Sequence, residues 1–515
     1  MKNRYVVCND EVLLIGESTD AFLSYFIAGI LPFAFFLFFV GFFLPIMPSR
    51  PYSDRIDFKD YNSIDLLRNR VVGLMAALVF SAVLYTKVFK YYPLIIVFSD
   101  TTALIFDPLV FYTFMFLICF FFLLCQLIYR YKTNLKKEEL IYLSFFMFAS
   151  LAILFQANLI GIFLCLELFS LSSYLLVAGL GRKVSIEAAI KYSLIGLLGT
   201  VFFLAGITFV ILNFGILNLF DIGMFMRYEF IYFNPDLKYY ALCGSLFLIS
   251  LFLKLGVVPF HFWILDVYKG VSPVTFIWLI TVSKVILIFV LINLLQHLLY
   301  FVSMYYENIF LGLSVASIIV GSIGGLRQRN LKGLFAYSSI VTVGFVLLPF
   351  VFYFENPRLA TTLSLSYLVV YLFNLISFFF FLSKYKDQYI IFNNLERINN
   401  ITKANPLLAF GLVFSLFAFM GLPPLLGFFP KVFILSSLIE LEYYYTVAIC
   451  VICTLFTGFY YFLILKRLCF SKTNTYLNYT PFKFFDYIII FLIIIVNLGF
   501  IFFFNDLLVF IDMLF

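Results

Sequence analysis

The amino-acid sequence predicts an all-α polytopic membrane protein with about fourteen transmembrane helices. Its 515 residues are 64% hydrophobic and 12% charged, with a mean hydropathy of +1.08, whereas soluble domains are close to half apolar. Fourteen apolar stretches are long enough to cross a hydrocarbon core about 30 Å thick. The segments that connect these stretches carry most of their basic residues on one side of the membrane. We expect helices throughout because a helix satisfies its own backbone hydrogen bonds in lipid.

The predicted spans follow one another along the whole chain, and only the polar run Gln156-Ala-Asn158 separates the fourth from the fifth. They cover residues 23–46, 71–95, 104–129, 139–156, 158–180, 187–213, 239–265, 272–296, 300–324, 331–353, 360–383, 406–439, 443–465 and 485–511.

The distribution of lysine and arginine supports this count. We count Lys87, Lys90 and Lys332 with the connecting segments, because they lie in the end turns of their spans. Segments that follow odd-numbered spans then hold 23 of the 34 basic residues, and the opposite side holds 7. A miscounted span in the middle would have exchanged the two sides for every later segment and reduced this difference. We therefore expect both termini on the side with few basic residues. Four lysines remain inside spans: Lys191, Lys254, Lys284 and Lys431.

Two motifs recur and indicate an internal repeat. The sequence Asn-Leu-x-Gly-x-Phe opens the fifth span at Asn158 and the tenth at Asn330, an offset of 172 residues. Gly256-Val-Val-Pro259 interrupts the seventh span and Gly421-Leu-Pro-Pro424 the twelfth, an offset of 165 residues. Each pair lies five spans apart, so the copies face opposite ways across the membrane. Inverted repeats with broken helices are typical of transporters.

The repeat predicts the domain organisation. Residues 1–130 hold an N-terminal segment and helices 1–3, and residues 139–296 the first repeat with helices 4–8. Residues 300–465 hold the inverted second repeat with helices 9–13, and 485–511 a C-terminal helix. Gly256, Pro259, Gly421, Pro423 and Pro424 should break their helices, because proline lacks the N–H that the carbonyl four residues earlier needs. An ordinary proline kink is the alternative for either site alone.

The charged residues inside the spans are the candidate functional groups. A lysine at the centre of a membrane helix costs about 2.5 to 3.5 kcal/mol on insertion scales, so several of them require a use. Burial favours the neutral form of a lysine and a nearby carboxylate favours the charged form, so such a pair is a switchable proton site. Glu167 with Lys254 is the candidate pair, and Lys284 and Lys431 would be further protonatable sites along a polar path near the middle of the membrane. Structural ion pairs or side chains reaching the surface are the alternative.

Two other positions have open interpretations. Lys191 follows Glu187 by four residues, the helical spacing of an ion pair, so an interfacial pair and a transport role both fit. His261 follows the first break and could relay protons or donate to freed carbonyls.

Several functional classes are excluded or disfavoured. Basic residues form no long run, so nucleic-acid binding has no support. The close pair Cys450 and Cys453 has no second pair or histidine nearby, and we expect no metal site. A haem held by histidine pairs would need both His261 and His297, and no nucleotide-binding glycine motif occurs. Redox chemistry and nucleotide hydrolysis must therefore take place elsewhere.

The N-terminal residues and the composition bear on location. The first 22 residues contain four acidic side chains and no early apolar core, unlike a mitochondrial presequence or a secretory signal. The 74 phenylalanines fit either a lipid-facing surface or an AT-rich genome, for which organelles are the usual case. We expect a multi-pass protein of the mitochondrial inner membrane encoded in the organelle, with termini on the intermembrane side; a bacterial inner membrane is the alternative.

Five segments in matching order resemble the antiporter-like subunits of respiratory complex I. They are LCLELFSLSSYLLVAG (164–179), EAAIKYSLIG (187–196), LKLGVVPFHFWILDVYKGVSPVT (253–275), RQRNLKGLFAYSSI (327–340) and GLPPLLGFFPK (421–431). The resemblance covers residues 100–470, and its details are most similar to the branch of subunit 2, called subunit N in bacteria. The first hundred residues carry no matching motif.

This resemblance implies a role for individual residues. Glu167, Lys254, Lys284 and Lys431 would pass protons along a hydrophilic axis, and Lys191 occupies a matching lysine position. The family often reads YSSIAHVG where this chain has YSSIVTVG, so Thr342 replaces a histidine. NADH, FMN, iron–sulfur clusters and ubiquinone are expected in the rest of the complex, none in this chain. Expected partners are neighbouring membrane subunits and lipids, including cardiolipin.

Three functional hypotheses follow. The first is a proton-translocating subunit of NADH:ubiquinone oxidoreductase, the second a subunit of a multi-subunit cation/proton antiporter, and the third a membrane scaffold. The repeat offsets align Glu167 with Ser339 and Lys254 with Phe419. We therefore expect the switchable pair in the first half only, with Lys431 on the exit side.

Overall fold

The computed structural model of the chain describes residues 137–384 and 406–470 except 180 and 233–236, four short strands earlier in the chain, and scattered positions between 487 and 508. The predicted first three spans lie outside the described residues except at two ends, as do most of the predicted last span and both termini. The division into four domains stays a prediction.

The described helices, numbered in chain order, are α1 (Lys137–Leu154), α2 (Leu159–Ala178), α3 (Lys183–Phe214), α4 (Leu219–Tyr232), α5 (Leu237–Leu255), α6 (Phe262–Gly270), α7 (Pro273–His297), α8 (Glu307–Leu326), α9 (Leu331–Leu347), α10 (Pro357–Leu382), α11 (Pro406–Met420), α12 (Phe428–Glu440) and α13 (Tyr444–Phe470). Two 3₁₀ segments, Tyr300–Tyr305 and Leu348–Phe352, precede α8 and follow α9.

Seven of these segments are long and apolar enough to cross a membrane, and three shorter apolar helices accompany them. Together they match the ten spans predicted between residues 139 and 465, which confirms the helical membrane class for this part of the chain. The short helix α4 was not predicted. It lies between the sixth and seventh predicted spans.

Two short antiparallel hairpins also differ from the prediction. Strands β1 (Tyr5–Cys8) and β2 (Glu11–Leu14) form one hairpin, and β3 (Leu94–Ser99) and β4 (Thr102–Phe106) form the other. The prediction of helix at residues 94–95 and 104–106 was therefore wrong. Leu-Ile-Ile-Val-Phe is rich in β-branched and aromatic residues, which favour a strand.

The repeat appears as a recurring packing pattern. In the first half α1 packs on α2, α2 on α3, and α3 on both α5 and α6. In the second half α8 packs on α9, α9 on α10, and α10 on both α11 and α12. Asn158 and Asn330 are the N-cap residues of α2 and α9, as the shared motif predicts. Each half thus contains one helix in two pieces, α5 with α6 and α11 with α12.

Helices α7 and α9 form the centre of the described structure. In each, 94% of the most apolar window is buried, whereas less than half of that window is buried in α2, α3, α8 and α13. Ser272 caps α7 by accepting the backbone N–H of Thr275, and Pro273 occupies the first turn, where its missing N–H is not needed. The exposed helices are available to lipid or neighbouring subunits, and the central pair carries Lys284 and Ser339.

In the second half, a hydrogen bond joins the segment before α13 to the start of α8. The Tyr443 hydroxyl donates a hydrogen bond to the Glu307 carboxylate at the start of α8. This bond, together with partial burial, raises the pKa of Tyr443 to about 12.

Candidate functional site

The two helix breaks share one backbone conformation. Gly256 and Gly421 both have left-handed φ angles, 71° and 78°, which side chains disfavour and glycine tolerates. A cis X-Pro peptide follows each glycine, at Val258-Pro259 and Pro423-Pro424. The sequence motif Gly-x-x-Pro therefore marks the same local structure twice, as predicted.

At the first break one freed carbonyl is bonded by an indole. The backbone N–H groups of Gly256 and Val257 both donate to the Phe252 carbonyl, at 2.9 and 3.1 Å. The Leu253 carbonyl, which would otherwise accept from Val257, instead accepts the Trp263 Nε1–H at 3.2 Å. Trp263 was not predicted as a site residue. The sequence nevertheless offered a signal, because Trp263 is one of only two tryptophans and lies four residues after the proline of the break.

At the second break the freed carbonyls are bonded by a lysine. Pro423 and Pro424 lack the N–H groups that the carbonyls of Phe419 and Met420 need four residues earlier in the chain. The Lys431 ammonium lies at 3.4 Å from the Phe419 oxygen and at 3.2 Å from the Met420 oxygen. Lys431 therefore occupies the position that the missing backbone donors leave open.

Lys254 lies beside a small cavity in the first half. This cavity, of about 20 Å³, is lined by Ser170, Tyr174, Tyr192, Lys254, Trp263 and Leu287 among others, and we call it the Lys254 cavity. One water needs roughly 10 to 15 Å³ measured this way, so it holds about one. The Lys254 stem rests against Gly199 of α3, and the backbones approach closely because Ser250 donates to the Gly199 carbonyl at 2.6 Å.

Glu167 and Lys254 are brought near each other but form no ion pair. Both side chains are half-buried, and the carboxylate interacts electrostatically with the ammonium. The Glu167 carboxylate also accepts from Ser170 at 3.4 Å, and Ser170 lines the Lys254 cavity. A proton could therefore pass between the two groups only through an intervening water or hydroxyl.

Lys284 is buried at the centre of the described structure. Its side chain is 4% exposed, and its ammonium donates to the Ser339 carbonyl of α9 at 2.6 Å. Thr342 donates to the same carbonyl at 2.9 Å. Leu287, one turn from Lys284 on the same helix, lines the Lys254 cavity. Lys284 thus lies between the first-half cavity and Thr342.

A second cavity, of about 30 Å³, connects Thr342 to Lys431. It is lined by Ser338, Thr342, Tyr371, Asn374, Lys431 and Tyr461 among others, and we call it the Lys431 cavity. At roughly 10 to 15 Å³ for each molecule, it has room for about two waters. Tyr371 and Asn374 were missed by the sequence analysis, although two polar residues one turn apart in an apolar span were a usable signal.

The remaining candidates lie elsewhere. Lys191 is exposed and pairs with Glu187 and with Asp266, both at 2.8 Å, so the predicted helical ion pair is present and has a second partner. His261 is buried beside the Phe262 ring, and its Nδ1 atom makes no hydrogen bond. Neither lines the two cavities, and a relay role for either stays a prediction.

One buried lysine was overlooked. Lys332, counted with the loops in the sequence analysis, is 2% exposed in the first turn of α9 and donates to the Val271 carbonyl at 2.6 Å. It therefore attaches the second half to the segment between α6 and α7. Its signal was a charged residue inside the repeated motif, where the first copy has Ile160.

The described residues contain no group of three or more His, Cys, Asp or Glu side chains able to hold a metal ion. Cys450 and Cys453 are buried free thiols on α13. What the arrangement offers is a row of protonatable and hydroxyl groups that crosses from one half to the other.

Two known proteins are similar in sequence to this chain. The chain is 33% identical over 333 residues to NADH-quinone oxidoreductase subunit N of Wolbachia sp. subsp. Brugia malayi, covering 64% of this chain and 69% of the relative. It is 30% identical over 379 residues to the protein of the same name from Campylobacter jejuni, covering 72% and 78%.

Two solved structures share the fold. A chain of respiratory complex I from Thermus thermophilus superposes with a TM-score of 0.71 at 20% identity, covering 93% of this chain and 98% of that one. A chain of the Mrp complex from Dietzia sp. gives 0.70 at 16% identity, covering 88% and 82%.

Residues 156–457 match the protein family described as NADH:quinone oxidoreductase/Mrp antiporter, TM. This segment contains both breaks, all four candidate lysines, Glu167 and the lining of both cavities except Tyr460 and Tyr461. The chain therefore belongs to the family of membrane subunits that NADH:quinone oxidoreductases share with Mrp antiporters.

Proposed function

We propose that this chain is the proton-translocating N-type membrane subunit of an NADH:quinone oxidoreductase. Relatives at 30 to 33% identity carry that subunit's name. The chain would move protons while redox chemistry takes place in other subunits, which would hold NADH, FMN, iron–sulfur clusters and the quinone. The proposed mechanism rests on one observation. The Lys254 cavity, Lys284, Thr342 and the Lys431 cavity follow one another from the first half of the structure to the second.

Glu167 and Lys254 are proposed as the switch. Burial favours a neutral lysine and the nearby carboxylate favours a charged one, so a change in the charge or position of Glu167 changes whether Lys254 keeps its proton. Because no direct ion pair locks the two groups together, a water in the Lys254 cavity can exchange a proton with the lysine. The released proton would go to Lys284 and leave toward Lys431.

The proposal is tested by replacing Lys254 or Lys284 with Ala in the assembled enzyme. We expect proton translocation per NADH oxidised, or turnover coupled to it, to fall at least about tenfold, because a positioned proton-transfer group contributes roughly 10²- to 10⁴-fold. Lys183→Ala is the matched control, because Lys183 is an exposed lysine outside both cavities. Unchanged proton stoichiometry at full turnover in both site variants would overturn the proposal and favour a scaffold role.

The second candidate is a subunit of a multi-subunit cation/proton antiporter. The family description names both classes, and the Mrp fold superposes over most of the chain. Purification in mild detergent separates the two. Stable association with subunits that contain flavin and iron–sulfur clusters supports the oxidoreductase, and their absence together with sodium/proton exchange in vesicles supports the antiporter.

We also propose the mitochondrial inner membrane as the location, with neighbouring antiporter-like subunits and cardiolipin as contacts. The support is the content of 74 phenylalanines, which fits a genome rich in A and T. The relatives named above are bacterial. Fractionation of the source cells decides this point, because recovery in a bacterial plasma membrane would exclude the organelle. Lipid extracted with the purified complex tests the cardiolipin contact.

A further inference from the structure

Two buried lysines join the central helices α7 and α9, one from each helix. Lys284 of α7 donates to the Ser339 carbonyl of α9 at 2.6 Å. In the opposite direction, Lys332 of α9 donates to the carbonyl of Val271, just before α7, also at 2.6 Å. Lys332 and Val271 are 2% and 1% exposed. The proposed proton path uses Lys284 but gives no role to Lys332.

The place of Lys332 in the fold is unfavourable for a cation. It lies in the first turn of α9, where the helix dipole is positive, and Arg182 at the start of α3 is near enough to repel its ammonium. Burial adds the cost of taking an ammonium out of water. The helix start does not need this charge, because α2 begins with Ile160 at the equivalent place of the repeated motif. The lysine therefore serves a contact that an isoleucine cannot make.

The two bonds lie at different levels along the same pair of helices. The Lys332 bond lies at the start of both, because Val271 directly precedes the N-cap of α7 and Lys332 is the second residue of α9. Ser339 follows two turns later on α9, about 10 Å along the axis. A shift of α9 by one residue would move its carbonyls by about 1.5 Å, whereas the N–O distances of good hydrogen bonds span only about 0.5 Å. The position of α9 along α7 therefore decides whether the Ser339 carbonyl meets the Lys284 ammonium.

We propose that Lys332 is a positioning residue for Lys284. Its bond to the Val271 carbonyl fixes α9 along the axis of α7, and this alignment holds the Ser339 carbonyl at the Lys284 ammonium. Thr342 donates to the same carbonyl, so its contact depends on the same alignment. The role of Lys332 in proton translocation rests on the proposed function, whereas the alignment of the helices does not.

The alignment is tested by determining the structure of the assembled complex with Lys332→Met. Methionine is close to lysine in length and volume but has no N–H donor. We expect the Lys284 Nζ atom to lie more than about 3.5 Å from the Ser339 carbonyl oxygen in this variant, and to keep its bond in Lys332→Arg, which retains a donor. An unchanged distance in Lys332→Met would overturn the inference, whatever the transport activity of the chain.

The role in transport is tested by measuring proton translocation per NADH oxidised at equal assembly of the complex. We expect a fall of at least about threefold in Lys332→Met, as for the loss of one hydrogen bond by Lys284, and a value within about twofold of wild type in Lys332→Arg. Lys384→Met is the matched control, because Lys384 is also a buried lysine, 4% exposed, but follows the end of α10 beside the Phe380 ring. Equal losses in the two Met variants would contradict a specific role for Lys332.

A double variant shows whether Lys332 acts through Lys284. If it does, Lys332→Met causes no further loss of the translocation that remains in Lys284→Ala, because the effects of coupled residues are not additive. Losses that multiply would mean an independent structural role and would sink the inference. If Lys284→Ala impairs translocation but Lys332→Met does not, the proposed function stands and this inference fails. If Lys284→Ala is normal, the proposed function fails, and the structure of Lys332→Met still decides the alignment.

Lys332→Ile is the second apolar variant, because isoleucine occupies this place in the first copy of the motif. It replaces Lys332→Met in all three measurements if the Met variant assembles poorly. If neither apolar variant assembles, Lys332 is required for folding and not for alignment, which also overturns the inference.

Discussion

At the first break the Leu253 carbonyl accepts the neutral indole N–H of Trp263, whereas at the second break the Phe419 and Met420 carbonyls lie beside the ammonium of Lys431. The backbones match, with a left-handed glycine and a cis proline peptide in both. The difference lies in the group that bonds the freed carbonyls. A duplicated backbone therefore needs donors at both breaks, but it does not require that the donors carry the same charge.

The charged residues also differ between the two halves, although the backbones of the two breaks match. The offset of 165 residues aligns Lys254 with Phe419 and Asp266 with Lys431, and the offset of 172 aligns Glu167 with Ser339. Lys431 contacts the backbone carbonyl of Phe419, and Lys284 contacts that of Ser339. In the second half, the positions of the first-half carboxylate and lysine thus carry Ser339 and Phe419, whose backbone carbonyls accept from a lysine of another helix.

The largest expected effect comes from removing the charge at the second break. In Lys431→Leu two carbonyls lose their donor and the cavity loses its cation. We expect proton translocation to fall at least about tenfold and the free energy of unfolding to fall by about 2 kcal/mol, the cost of leaving buried acceptors unpaired. Proton uptake by vesicles and thermal unfolding of the purified complex measure the two effects.

Lys183→Leu controls for the loss of a lysine, because Lys183 is exposed. If Lys431→Leu loses stability but translocates protons like the wild type, Lys431 is only a structural donor. The two breaks would then be equivalent in function as well as in backbone.

The sequence predicted the breaks and the repeat because both follow from residue identity. Glycine and proline have local conformational effects that do not depend on the rest of the structure, so Gly256 and Gly421 could be assigned from the chain alone. The lysines could also be found, because a charge in an apolar span is conspicuous whatever surrounds it. These signals were sufficient for the fold class and for the three lysines at the cavities or between them, Lys254, Lys284 and Lys431.

The partners of these residues could not be predicted, because they depend on distances across helices. The sequence indicated Glu167 with Lys254 as a pair, and the structure places them close without an ion pair. Lys332 was counted with solvated loops because it lies at a helix start, yet tertiary packing buries it against Val271. The hairpin of β3 and β4 was missed because an apolar run of β-branched residues satisfies both strand and span patterns.

A smaller effect is expected at the first break. Trp263→Phe removes the N–H donor of the Leu253 carbonyl but retains an aromatic ring next to Tyr192, on which the indole stacks at 4.9 Å. We expect the free energy of unfolding to fall by about 1 to 2 kcal/mol, because one buried acceptor loses its partner. Proton translocation should stay within about twofold of wild type, since no charge is removed. Thermal unfolding and proton uptake in the same preparation separate the two.

A loss of translocation in Trp263→Phe as large as in Lys431→Leu would contradict the difference between the breaks. It would mean that the conformation of the break, and not the charge of its donor, controls proton passage. Tyr192→Leu checks for an effect through the neighbouring ring, because it removes the stacking partner without touching the Leu253 carbonyl.

The smallest effect is expected at Lys191, which pairs with Glu187 and Asp266 on the exposed side of α3. All three side chains are 44 to 66% exposed, and exposed ion pairs contribute little to stability. Lys191→Ala should therefore assemble normally and translocate protons within about twofold of wild type, as measured by proton uptake. Asp266→Asn should behave in the same way.

The prediction for Lys191 also tests the comparison of the two halves, because Asp266 is one of the partners of Lys191. It aligns with Lys431 in the repeat and lies at the same place after its own break, so the two halves carry opposite charges at equivalent positions. If Lys191→Ala and Asp266→Asn both reduce translocation tenfold or more while Glu187→Gln does not, the pair of Lys191 and Asp266 is the first-half equivalent of Lys431. The two halves would then share a charged site after each break, and the difference between them would be its sign.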